Sequence, residues 1–76
     1  MNRIKEFGQA VRSRRLARGL TQEELAEKAD LHVNSISLLE RGLIPPALDT
    51  MCSIADALGV PVSELAQEME LRAAAK

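Results

Sequence analysis

An all-α fold is predicted by three features of the sequence. No segment keeps the two-residue alternation of a half-buried strand. Apolar residues instead recur at three- and four-residue spacing in five short stretches, and glycines, prolines and capping residues punctuate the gaps. The architecture expected is a compact bundle of five short helices.

The first helix should run from about Ile4 to Arg18, with Ile4, Phe7, Val11 and Leu16 as its apolar stripe and Gly19 at the C-cap position. The second runs from Gln22 to about Ala29. Thr21 and Glu24 have the T-x-x-E spacing of a capping box, and Leu25, Ala26 and Ala29 give the inward face. The third spans about Val33 to Arg41 and is closed by Gly42. At 100° per residue Ile36 and Leu39 share one side with Glu40 at its edge, while Val33, Asn34, Ser37, Leu38 and Arg41 fall on the other. Pro45 and Pro46 then break the chain. The fourth helix, Leu48 to Leu58, places Leu48, Met51, Cys52, Ala55 and Leu58 on one stripe before Gly59. Cys52 on that face reads as a small buried thiol. The fifth opens at Pro61 and carries Val62, Leu65, Ala66 and Met69 into the good helix formers ELRAAAK; Leu58 and Val62, flanking the turn, read as core.

With 76 residues the chain is expected to form one domain, residues 1–76, with a core over about 4–69 and a C-terminal extension over 70–76. Hydrophobic residues make up 46% and charged residues 28%, too apolar for a disordered tail. Phe7 is the only aromatic residue, so the core must be aliphatic and the base-stacking platforms used on single strands are excluded. A single cysteine allows no internal disulfide and no cysteine cluster for zinc. No apolar run reaches the length of a membrane span, and the start of the chain lacks the apolar segment of a signal peptide. The expectation is a soluble cytoplasmic protein with neither metal nor cofactor. His32 is the only histidine and no positioned nucleophile accompanies it, so no enzymatic activity is expected.

The net charge of −1 conceals an asymmetry. Residues 1–20 carry a local +5 through Arg3, Lys5, Arg12, Arg14, Arg15 and Arg18 against Glu6, and residues 21–40 carry a local −4. Phosphate contact needs only a local basic patch, which the first segment supplies; a solvated arginine face is the alternative.

Function concentrates around Asp30–Leu31–His32, the short connector between the second and third helices. Two short helices joined by so few residues, the second with a polar outer face, match a helix-turn-helix, although a purely structural helical hairpin has the same pattern. In the DNA-binding version the first helix crosses the backbone and the second lies in the major groove, where each base pair shows a distinct donor and acceptor pattern.

The run GLTQEELAEKADLHVNSISLLERGLIPP followed by IADALGVPVSEL resembles the lambda-repressor-like, Cro/repressor-type (XRE) helix-turn-helix family over roughly Ile4 to Met69. The resemblance implies the five-helix bundle and sequence-specific binding to double-stranded DNA. It places Val33, Asn34, Ser37 and Leu38 at the outward positions of the recognition helix. Asn34 is the best base reader among them, since Asn bonds adenine through two atoms at once. A helix cap or simply a solvated side chain is its alternative role. Val33 and Leu38 suit thymine methyls, or are simply exposed apolar residues. Gln22 matches a phosphate contact at the start of the motif's first helix, with Arg12, Arg14 and Arg41 as further phosphate candidates. Arg15 and Glu40 match a buried structural ion pair joining the first helix to the end of the recognition helix.

Two positions depart from the family pattern. Asp30 stands where the turn usually carries Gly, and His32 stands where Ser or Thr usually starts the recognition helix. His is a poorer cap; it is either a turn residue with no role of its own or a candidate for a phosphate or base-edge contact, one that protonation would strengthen at low pH.

One recognition helix reads too few base pairs for useful specificity, so a homodimer on a palindromic operator is expected, with Val62, Leu65, Met69 and Leu71 as interface candidates; that they only close the core is the alternative. The reading is a bacterial or phage transcriptional regulator acting by occupancy, as a repressor that blocks polymerase or as a protein that touches polymerase from an adjacent site. A restriction-modification controller is a narrower version of it. The alternative is an antitoxin or other interaction module of the same fold; a protein partner such as a toxin or RNA polymerase is left open by the sequence.

Overall fold

A computed structural model of the chain describes residues 2–75. Among these, five α-helices follow one another without a strand: α1 (Arg3–Ala17), α2 (Gln22–Ala29), α3 (Val33–Glu40), α4 (Leu48–Leu58) and α5 (Val62–Ala74). The fold class is the one the sequence predicts. The bundle measures 31 × 22 × 22 Å.

The capping chemistry explains the helix ends. Asn2 caps α1 by accepting from the Lys5 backbone N–H at 3.1 Å. At α2 the capping box closes in both directions: Thr21 Oγ1 accepts from the Glu24 N–H at 3.0 Å, and the Thr21 N–H donates to Glu24 Oε1 at 2.9 Å. Gly59 ends α4 in the left-handed conformation, φ +73°. Pro61 is the N-cap of α5 rather than its first helical residue.

Phe7, Val11, Leu25, Ile36, Leu39, Ile54, Leu58 and Leu65 meet in one core. Each large side chain taken out of water there contributes roughly 1.5–3 kcal/mol. Three stripes differ from expectation. On α1, Leu16 and Ile4 are exposed, while Arg15 is buried one position away, following Phe7 and Val11 at four-residue steps. On α4, Leu48 is exposed and Cys52 only half-buried, because the inward face is centred on Ile54, Ala55 and Leu58. On α5, Leu65 is fully buried whereas Val62 is half-buried against the core.

One close approach fixes the position of α3. A Cβ on Gly8 would collide with the Leu39 carbonyl oxygen and lie 2.9 Å from that of Glu40. The α1 backbone therefore runs directly against the C-terminal end of α3, which brings Gln9 and Arg15 within reach of Glu40.

Candidate nucleic-acid interface

The turn between α2 and α3 is set by Asp30, whose φ of 56° and ψ of 46° make it the only left-handed non-glycine among the described residues. The Leu31 N–H then returns to the Ala26 carbonyl at 2.8 Å, and Leu31 packs half-buried on the core. His32 follows as the N-cap of α3, with no hydrogen bond from its side chain to the helix. The first turn of α3 thus lacks the side-chain cap that α1 and α2 possess. Asn34 lies inside the helix and is not its cap.

The opposite end of α3 is anchored in a buried polar cluster. Arg15 donates to Glu40 through two atoms, Nε to Oε2 at 2.7 Å and Nη2 to Oε1 at 3.0 Å, and its Nη1 donates to the Leu20 carbonyl at 2.8 Å. The structural pair expected from the resemblance is present and buried, with side-chain exposures of 9% and 2%. Hydrogen bonding to Glu40 raises the pKa of Arg15, against a smaller opposing effect of burial. Two glutamines complete the cluster. Gln9 Nε2 donates to the Glu40 carbonyl at 3.3 Å, and Gln22 Nε2 donates to Glu40 Oε1 at 3.0 Å. Glu40 therefore ties α1, α2 and α3 together, and no sequence spacing pointed to the glutamine contacts.

Between these two ends the outer face of α3 presents Asn34, Ser37, Leu38 and Arg41. At 100° per residue these four positions form one stripe. Asn34 and Arg41 are exposed, while Ser37 and Leu38 are half-buried. Val33 departs from its expected outward position, since its side chain packs on the core.

The basic surplus of the first segment is largely consumed inside the molecule. Arg3 pairs with Glu70, and Arg14 pairs with Glu64 and, at 2.8 Å, with Glu68. Arg18 donates to the Leu58 carbonyl. Arg14, expected at phosphate, is thus turned toward α5 and held by two carboxylates, because positions 3, 7, 10 and 14 face that helix. Arg12 and Arg41 are exposed and form no ion pair among the described residues. Lys5, counted in the basic segment but not among the individual phosphate candidates, lies on the α1 face shared by Gln9 and Arg12, against Gly42.

The interface candidates on α5 separate by burial. Leu65 is enclosed in the core and offers no surface to a second copy. Val62 and Met69 are half-buried, and Leu71 is 64% exposed.

Residues 11–65 match the family profile described as helix-turn-helix, which takes in α2, the turn, α3 and α4. The chain is 41% identical over 64 residues to the immunity repressor protein of Bacillus phage phi105, covering 84% of this chain and 44% of that protein. It is 45% identical over 60 residues to control protein C.BamHI of Bacillus amyloliquefaciens, covering 78% of this chain and 74% of that one. The chain therefore spans less than half the length of the phage repressor and about three quarters of the control protein. Among solved structures, the restriction-modification controller protein C.Esp1396I, seen as a tetramer in complex with its natural 35 base-pair operator, superposes with a TM-score of 0.80 at 26% identity. That match covers 91% of this chain and 96% of the other.

Proposed function

This chain belongs to the XRE-type, lambda-repressor-like helix-turn-helix family, and we propose that it is a sequence-specific double-stranded DNA-binding transcriptional regulator acting as a homodimer on a palindromic operator. The observation that carries this reading is the outer stripe of α3. Asn34, Ser37 and Arg41 stand on a helix whose far end is locked to α1 and α2 through Glu40, so a polar face is presented on a rigid frame. Such a helix fits the major groove, where Asn34 reads a base edge through its amide and Arg41 meets the backbone. Arg12, Gln22 and His32 are the further phosphate contacts in this reading. Each places the protein on the duplex without reading sequence.

Two copies are required for a useful specificity ratio. Of the α5 candidates the exposed Leu71 is the one proposed for pairing, since Val62 and Met69 lie half-buried on the opposite side of the helix, against the core. With half-sites about one helical turn apart, the regulator acts by occupying its operator. The similarity to a phage repressor and to restriction-modification controllers supports this mode of action.

The test is selection of binding sites from random duplex DNA by the purified chain alone. An enriched palindrome is the expected result. Salt-sensitive binding without enrichment would reject the reading and point to a module that needs a protein partner.

A further inference from the structure

Gln22 is the first residue of α2, where the leading backbone N–H groups have no partner within the helix. Its side chain is already engaged before any DNA arrives, since Nε2 donates to Glu40 Oε1 at 3.0 Å. A primary amide has two N–H donors and one carbonyl oxygen. One donor is held by Glu40; the other makes no hydrogen bond among the described residues. Glu40 is itself immobilised, nearly buried and gripped at both oxygens by Arg15. Gln22 is therefore a flexible side chain with one end fastened to a rigid carboxylate at the boundary of α1, α2 and α3.

We propose that Glu40 is a positioning residue for DNA docking, holding the Gln22 amide so that its second N–H stands ready for an operator phosphate at the α2 N-terminus. The inference rests on the reading of the chain as an operator-binding protein. Electrostatics alone makes this end of α2 a poor anion trap, because Glu23 and Glu24 occupy the same first turn. A phosphate there is held by donors in fixed geometry, and fastening Gln22 in advance removes the ordering that docking would otherwise require. The same bond makes the recognition helix and the phosphate contact a single rigid unit, since Glu40 is the last residue of α3.

The test is a double-mutant cycle on the operator, at fixed salt and at a temperature where melting curves show every variant folded. Glu40→Met, which cannot accept the Gln22 N–H, should weaken binding roughly three- to tenfold more in the wild-type background than in Gln22→Met, which cannot donate. An equal loss in both backgrounds would assign Glu40 a structural role and overturn the proposal.

Because Glu40→Met disturbs a buried pair and can unfold the chain, a second measurement uses the wild-type protein. In its NMR spectrum the two Gln22 side-chain amide protons should be resolved in the free state, with the one bonded to Glu40 shifted downfield and the other shifting only with operator. Two protons at ordinary solvent-exposed shifts in the free state would refute the Glu40 link. If the wild-type chain binds no operator, the functional reading fails as well. If operator binding is intact but the coupling is absent, this inference fails alone.

Discussion

Arg15 and Glu40 meet in a two-point ion pair across the α1–α3 boundary, with N–O distances of 2.7 and 3.0 Å and both side chains almost excluded from water. Truncating either partner leaves the other as an uncompensated buried charge. Arg15→Ala and Glu40→Ala should each lower the free energy of unfolding by roughly 3–5 kcal/mol in chemical denaturation. Arg15→Lys should recover only part of this, because an ammonium cannot reproduce the forked geometry. A loss below about 1 kcal/mol would mean that the pair is solvated as a surface bridge is.

Arg14 and Arg41 should separate in their effects, although composition treats them alike. Arg14 is bound to Glu64 and Glu68, whereas Arg41 is exposed at the end of α3 and forms no ion pair among the described residues. Arg41→Ala should reduce the slope of log affinity against log salt by about 0.9, the effect of one lost phosphate contact. Arg14→Ala should leave that slope unchanged and cost up to about 1 kcal/mol of stability. Titrations of the operator at several salt concentrations decide both.

The acid limb of stability should run through the same α1–α5 seam. Burial acts to raise the pKa of Glu68, but hydrogen bonds from Arg14 and Arg72 outweigh it and leave the carboxyl below its ordinary value. A depressed folded-state pKa contributes stability that is complete above the unfolded pKa and disappears as pH falls through the folded one. Glu70, held down mainly by its hydrogen bond from Arg3, and Glu24, held down mainly by the Thr21 backbone N–H, add in the same direction. The urea midpoint should therefore decline as pH falls from about 5 to about 3, and Glu68→Gln should flatten part of that decline. An unchanged pH profile in the variant would remove Glu68 from the linkage.

Much of the fold was legible because its signals are local. Thr21 and Glu24, Gly19, Gly59 and the two prolines mark ends through chemistry acting over a few residues, and the helix boundaries followed from them. The candidate site was legible in part. Asn34 and Arg41 lie outward by helical phase alone, and Arg15 with Glu40 was reached through resemblance. What stayed hidden depends on partners distant in sequence. Arg14 looks like any other surface arginine until α5 is packed alongside it, and Gln22 gives no sign that its amide will find Glu40. Leu16 was misplaced because Arg15 occupies the buried step of α1, a site that periodicity assigns to an apolar residue.

Asp30 carries a left-handed backbone that glycine adopts without steric cost. Its carboxylate also stands at the C-terminal end of α2, where the helix dipole disfavours negative charge. Asp30→Gly relieves both, against a modest gain in unfolded-chain entropy. The variant should be more stable by about 0.5–1 kcal/mol, read as a rise in the denaturant midpoint at constant slope. A decrease would show that the Asp30 side chain contributes more than its backbone costs.

Asn34 offers the sharpest distinction between reading a sequence and holding the duplex. It is exposed in the first turn of α3, does not cap the helix, and forms no side-chain hydrogen bond among the described residues. Its replacement by Ala should leave stability within about 0.5 kcal/mol, since no internal contact is lost. On the operator the variant should lose about 1–3 kcal/mol and accept other bases at one position of each half-site, because a bidentate contact to adenine disappears. Affinity measured across single-base operator variants tests this directly. A uniform loss on every sequence would move Asn34 to the phosphate backbone and leave Ser37 and Leu38 as the base-reading positions of the stripe.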